Sequence, residues 1–164
     1  MFPQAIIICI THQVCKNMDL YTISPHQAFL LTQKAVISQD QKILLLHTSW
    51  TDPEWELPGG ILKIDEDMPA GLAREVLEET GLKLIVGDVV CAHTLWVKDF
   101  KLHDGRVQDI RFAVITYTAE IIGDSLSIIL SDEHDDFTWV SPEQAKVMHL
   151  SENTRHVITK LDHF

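Results

Sequence analysis

Gly60-Ile61-Leu62-Lys63-Ile64-Asp65-Glu66-Asp67-Met68-Pro69-Ala70-Gly71-Leu72-Ala73-Arg74-Glu75-Val76-Leu77-Glu78-Glu79-Thr80-Gly81-Leu82 is the stretch on which the reading of this chain turns. Asp67 can cap a helix whose first turn holds Pro69; Ala70 to Thr80 is rich in helix formers, and Gly81 stops it. In that helix Glu75, Glu78 and Glu79 stand at i, i+3 and i+4, so their carboxylates project from one face. Left alone they repel, and each like-charge pair costs roughly a few tenths of a kcal/mol on an exposed helix. A bound divalent cation turns that defect into a site. Oxygen ligands without histidine or thiolate suit a hard ion such as Mg²⁺ or Mn²⁺, and Mg²⁺ keeps several waters and bridges to substrate phosphates.

Upstream, a loop carrying Pro53 and Pro58 ends in Trp55-Glu56-Leu57-Pro58-Gly59-Gly60, where the double glycine leaves carbonyls and amides uncovered. Before it, Gln27 to Ser38 and Lys42 to His47 read as two strands of a hairpin turned at Gln39-Asp40-Gln41. Downstream, Leu82 to Lys98 and Val107 to Ile122 read as strands joined near His103-Asp104-Gly105-Arg106, where Asp-Gly signals a hairpin turn. Ser131 to Asp136 reads as an acidic loop and Phe137 to Val140 as a short strand. Ser141-Pro142-Glu143-Gln144 forms a capping box, and helices are expected near Pro142–Met148 and Glu152–Leu161. Strands with a helix between them and helices at the end give an α/β arrangement, a mixed sheet packed by helices.

The 164 residues are expected to form a single domain over 1–164. With 13 Lys and Arg against 24 Asp and Glu, the formal net charge of −11 repels phosphate backbones, so a nucleic-acid polymer is not the expected partner. A phosphorylated small molecule would need a bound cation or a local basic patch between it and this field. Cys9, Cys15 and Cys91 make no CxxC pair, which fits a reducing cytoplasm rather than a disulfide framework or a zinc ribbon. The run Ala5 to Ile10 is far short of the roughly 20 apolar residues that cross a bilayer. Residues 1–25 are therefore expected to be an N-terminal strand or packed arm, with no membrane association.

Gly60, Glu66, Arg74, Glu75, Val76, Glu78, Glu79, Gly81 and Leu82 match every fixed position of the Nudix box, and the chain resembles Nudix hydrolases over residues 60–82 and in the Leu57-Pro58-Gly59 before it. The resemblance implies an α/β/α sandwich and Mg²⁺- or Mn²⁺-dependent hydrolysis of a phosphoanhydride in a nucleoside diphosphate linked to another moiety. It implies Glu75, Glu78 and Arg74 as the catalytic set, with Glu75 in some members aiding the attacking water. Glu75, Glu78, Glu79, the Gly59 carbonyl and Glu133 are implied as metal ligands, Asp132 being the near alternative to Glu133. Arg74 and Glu66 are expected to orient carboxylates more than to meet substrate, and Gly60 to support the site. Many relatives are dimers, so a homodimer is an open expectation.

For the substrate, Trp96, Phe112 and Arg111 are candidates; Phe29, Trp96 and Phe112 lie on strands that could flank a pocket, and Arg106 and Arg111 could offset the acidic field. The proline and the tyrosine associated with ADP-ribose hydrolases and dinucleoside polyphosphate hydrolases are missing near Val97 to Phe100. Nucleoside triphosphates, oxidised ones included, and nucleotide sugars remain open. A non-catalytic nucleotide-sensing or protein-binding module on the same fold is the alternative, and a damaged box would mark it; this box is complete. The nine histidines show no HxxxH or HExxH pair and are expected to be surface or core residues. An isomerase of the same fold would want a catalytic cysteine with histidines, which the sequence around Cys91 does not suggest.

Overall fold

In the computed structural model the described residues are 29–49, 53–101, 107–123 and 127–161; the N-terminal segment 1–25, Trp50, and the turn holding Asp104-Gly105-Arg106 lie outside them. Strand β1 (Leu30–Gln39) turns into β2 (Lys42–Thr48) through Asp40 and Gln41 alone. Both have positive φ, 50° and 61°, the twist that a two-residue hairpin turn requires. The two strands pair only at Ser38↔Ile43 and Gln39↔Lys42 before they diverge. Further along β1, the segment 58–62 takes the vacated edge: the Ala35 N–H donates to the Pro58 carbonyl and the Gln33 N–H to Gly60, each at 2.9 Å, and the Leu62 N–H donates back to Leu31 at 3.0 Å.

The remaining strands are β3 (Trp55–Glu56), β4 (Leu84–Lys101), β5 (Val107–Ile121) and β6 (His134–Val140). The sheet order is β3-β2-β1-β5-β4, with β6 also on β2, and only β1 and β5 run parallel. This is the mixed sheet expected from the sequence. Its two faces separate with the period of two that a pleated strand imposes. Ala35, Ile37, Leu44 and Leu46 pack with Leu72 and Val76 of helix α1 (Met68–Thr80). Val36, Ile43 and Leu45 pack on the opposite face with Ala145 of α2 (Pro142–Ala145) and Val157 and Ile158 of α3 (Glu152–Leu161). Helices therefore cover both faces, an α/β/α sandwich. No helix among the described residues is long and apolar enough to cross a membrane.

Helix α1 begins and ends as its sequence dictates: the Asp67 carboxylate accepts the Ala70 N–H at 2.9 Å, and Gly81 closes the helix at φ 72°. The capping box at Ser141 is likewise formed, with the Ser141 hydroxyl accepting from Gln144 and the Gln144 side chain accepting from Ser141.

Strand β4 begins at Leu84 and runs on to Lys101 rather than spanning Leu82 to Lys98, and three further elements differ from the expectation. Trp55 and Glu56 form a short strand rather than loop, because Leu46↔Glu56 and His47↔Trp55 pair across β2. Strand β6 starts at His134, so Asp135 and Asp136 are in a strand with their side chains outward; pairing with β2 outweighs the low strand propensity of aspartate. Helix α2 stops at Ala145 instead of reaching Met148, because Val147 and Met148 donate to Gln144 and Ala145, three residues back, and turn the chain.

Leu72 is fully buried between α1 and the sheet. Leu72→Ala should lower unfolding free energy by about 2–5 kcal/mol. Urea denaturation followed by far-ultraviolet circular dichroism measures the loss, and a midpoint unchanged from wild type would contradict the packing described.

Candidate active site

The loop from β3 to α1 is held against the sheet by groups on three elements. Gly59 has φ 123°, and a Cβ there would stand 2.4 Å from the Gln33 carbonyl oxygen, so only glycine lets the loop approach β1 this closely. Its N–H donates to Glu79 Oε2 at 2.7 Å, and its carbonyl accepts from Lys34 Nζ at 2.7 Å. Lys34 Nζ also lies 2.8 Å from Glu56 Oε2, and His134 Nε2 is 3.3 Å from Glu56 Oε1. The result is a buried chain of polar groups running from His134 through Glu56 and Lys34 to Gly59 and Glu79.

Burial pushes the Glu56 carboxyl up, but the Lys34 ammonium and His134 outweigh it and hold it at about 2. The same carboxylate, with Glu79 and Glu75, raises Lys34 against a desolvation that would lower it. Glu79 is the opposite case: it is 6% exposed, and burial raises its pKa despite Lys34 and the Gly59 N–H. An acid with such a pKa is short of positive charge.

Along the outer side of α1, Arg74 gathers the other carboxylates. Its Nη2 and Nε donate to the two oxygens of Glu66 at 2.8 and 2.5 Å, and Nη1 lies 2.7 Å from Glu75 and 3.0 Å from Glu78. Hydrogen bonding to Arg74 holds the Glu66 carboxyl at about 2. Gly60 sits beneath Glu75, where a Cβ would fall 2.5 Å from Glu75 Oε2.

The three acidic side chains of one helix face thus divide. Glu79 turns inward to Gly59, while Glu75 and Glu78 are drawn to Arg74, and no three of these carboxylates bring oxygens within 4.8 Å of one another. As donors they fit a hard cation: all are oxygen, one is a buried acid raised by desolvation, and the Gly59 carbonyl keeps a lone pair beyond the one given to Lys34. Gathering them around an ion requires Glu75 and Glu78 to turn from Arg74.

Glu133 lies in the turn before β6, exposed. Its carbonyl accepts the Ser49 N–H at 2.9 Å, and its carboxylate has no ion pair or hydrogen bond among the described residues. The chain just before that turn is tied to the end of α1, with Ser131 N–H on the Glu79 carbonyl and Ile129 N–H on Thr80. Asp132 contributes its backbone carbonyl to the Ser49 hydroxyl, and Asp135 pairs with His47 Nδ1 at 2.6 Å.

A cavity of about 480 Å³ opens beside Lys34 and Glu56, walled by Leu95, Trp96, Phe100 and Phe112 from the sheet and by Asn153 from α3. Phe112 is buried and meets Phe100 edge to face, with centroids 5.7 Å apart. Trp96 is half exposed, with the Arg111 guanidinium 5.0 Å and Lys98 Nζ 5.3 Å from its ring centroid. The structure therefore brings Trp96 and Phe112 to one pocket and Arg111 onto Trp96, whereas Phe29 is not among the lining residues.

The NUDIX domain family profile matches residues 29–161. The chain belongs to the Nudix hydrolase family. Nucleoside triphosphatase NudI of Salmonella paratyphi B is 30% identical over 110 residues, covering 64% of this chain and 74% of that protein. The crystal structure of a MutT protein from Methanosarcina mazei Go1 superposes with a TM-score of 0.67 at 28% identity, over 85% of this Nudix chain and 96% of the other. A C. elegans Ap4A hydrolase shares the fold at 21% identity and a TM-score of 0.61, over 81% and 95% of the two chains.

Sequence reasoning missed Lys34, Glu56 and His134. The signal was present in β1, where Gln33 and Lys34 interrupt an apolar strand at positions the fold buries. Lys34→Met should cost about 3–5 kcal/mol, because it strands the Glu56 carboxylate in the interior, and Lys34→Met combined with Glu56→Gln should recover part of that loss. In the wild type, Glu56 has a folded pKa near 2 against an ordinary 4.5, so its contribution is complete above about 4.5 and fades as pH falls toward 2. Urea midpoints of the wild type and both variants between pH 3 and 7 measure both effects; equal losses in the single and double variants would refute the pairing.

Proposed function

We propose that this Nudix hydrolase, working as a single domain in the cytoplasm, cleaves a phosphoanhydride bond in a nucleotide, a nucleoside triphosphate foremost, with Mg²⁺ or Mn²⁺. The observation that carries the reading is the junction at Lys34. One ammonium touches the Gly59 carbonyl of the β3–α1 loop and lines the aromatic pocket, so a place for a base would adjoin a place for phosphates. The relative named a nucleoside triphosphatase supports that substrate class.

Glu75, Glu78, Glu79 and the Gly59 carbonyl would hold the metal, with Glu133 reaching in from the turn before β6. A divalent ion bound there would neutralise charge on the non-bridging phosphate oxygens and lower the pKa of a bound water. Glu75, which packs against Gly60, would take a proton from the attacking water once turned from Arg74. Glu78 shares the outer carboxylate set with it. Arg74 sets where both can point, as Glu66 grips its guanidinium from behind, and so belongs to the catalytic unit as a positioning residue. Trp96 and Phe112 form the apolar wall for the base, and Arg111 adds positive charge beside it. Lys34, a buried lining residue, would offset part of the acidic charge beside the pocket.

The test is product release from nucleoside triphosphates, oxidised nucleotides, nucleotide sugars, ADP-ribose and dinucleoside polyphosphates, each with Mg²⁺, Mn²⁺ or chelator. Metal-dependent turnover of a nucleoside triphosphate is expected, with Glu79→Gln lowering kcat by at least about 100-fold while the protein stays folded. Gly60→Ala, which pushes the Glu75 carboxylate aside, should lower kcat by about tenfold or more with an unchanged circular dichroism spectrum. Turnover unaffected by chelator or by Glu79→Gln would overturn the assignment. Nucleotide binding without turnover of any compound would make the chain a sensing module.

A further inference from the structure

On the face of the sheet that carries α3, a second cluster of ligating atoms stands apart from the acidic helix. Cys91 and His93 lie two residues apart on β4 and share one side of it; His156 comes from α3. One ligand atom from each falls within 4.8 Å of the other two. The imidazole rings of His93 and His156 are 4.1 Å apart between centroids, tilted by 30°. Both ring nitrogens of His93 and Oδ1 of Asn153, one turn earlier on α3, are buried and none meets a partner in hydrogen-bond geometry among the described residues, although the Asn153 amide is close enough to His93 to interact with it. Interiors rarely leave such groups unpaired, and each exception asks for a partner.

We propose that Cys91, His93 and His156 bind one Zn²⁺ that ties β4 to α3. A thiolate and two imidazoles are the borderline-soft set that zinc prefers, whereas the all-oxygen box suits Mg²⁺ or Mn²⁺, so donor chemistry separates the two metals. Tetrahedral zinc with bonds of roughly 2.0–2.3 Å places its ligands roughly 3.3–3.6 Å apart, so atoms that already lie within 4.8 Å of one another need to move together by no more than about 1.5 Å. Cys91 gives up its thiol proton to solvent on binding, and His93 and His156 bind as neutral rings. Three protein ligands would leave the fourth position to water.

The location links this ion to the pocket. Cys91 is paired with Thr116 on β5, and Thr116 with Lys34 on β1, so the three form one row across the sheet. Two strand spacings place the cluster roughly 10 Å from Lys34. The same two elements supply pocket walls a few residues away, Leu95 and Trp96 from β4 and Asn153 from α3. A zinc ion at their crossing would fix how far apart those walls stand.

The test uses the full chain, stripped with chelator, kept reduced, and saturated with Mg²⁺ to fill the acidic site. Adding Co²⁺ as a spectroscopic probe should give one equivalent of tetrahedral visible absorption and a thiolate-to-cobalt band in the near ultraviolet, both displaced by Zn²⁺. Cys91→Ser should abolish the near-ultraviolet band, and His156→Asn should weaken Zn²⁺ binding by at least about tenfold. Zn²⁺ should raise the melting temperature of wild type and of Glu79→Gln but not of Cys91→Ser. A thiolate band that survives Cys91→Ser would assign the metal to Cys9 or Cys15 and overturn the proposal. So would wild-type protein that gives no band, or Zn²⁺ affinity unchanged in His156→Asn with both proteins folded.

Discussion

Gly59 is held at both ends of its peptide by side chains from different parts of the fold. Glu79, from the last turn of α1, accepts its N–H, and Lys34, from the middle of β1, donates to its carbonyl. A residue with a side chain cannot sit there, because the sheet backbone is too near and φ is positive. From this one point the register of α1 on the sheet follows. With Glu79 facing inward, the helical period places Leu72 and Val76 in the core and leaves Glu75 and Glu78 on the outer flank with Arg74. In the proposed reading stability and chemistry share one anchor, with the glycines at 59 and 60 serving both.

The cost of the arrangement lies in its charges. Lys34 and Glu56 are each taken largely out of water, and neither is tolerable there without the other. Arg74 plays the corresponding part at the surface, where one planar guanidinium satisfies three carboxylates. A helix face that the sequence presents as self-repelling is thus compensated in the fold from two directions. Only Glu79 is left with an unfavourable balance, its pKa raised by burial.

Local signals were legible in the sequence and long-range ones were not. The helix from Asp67 to Gly81, its caps, the Asp40-Gln41 hairpin and the capping box at Ser141 all follow from residue types a few positions apart. So did the carboxylates of the box, because helical spacing alone groups them. Lys34, Glu56 and His134 meet from three strands, and no short-range pattern joins positions 34, 56 and 134. The same holds for Cys91 and His156, which the sequence presents as an isolated thiol and a surface or core histidine and the fold of α3 over β4 brings together. Asp135 and Asp136 misled for a related reason: their charge argues for a loop, and the β2 edge they pair with cannot be read from their own neighbourhood.

The single parallel pairing, β1 with β5, has a consequence for how the chain reaches this state. Leu30 to Ile37 meet Phe112 to Ala119, so β1 stands opposite residues made some eighty positions later. During synthesis β1 first acquires β2 at two positions only, then the 58–62 segment on the same side. Its other edge stays open until β5 has left the ribosome, a wait of about 4–16 seconds at ordinary elongation rates. For that interval the strand that later anchors Gly59 is an unpaired, apolar edge. The nascent chain is then most vulnerable to pairing with the wrong strand, through the element on which the finished site depends.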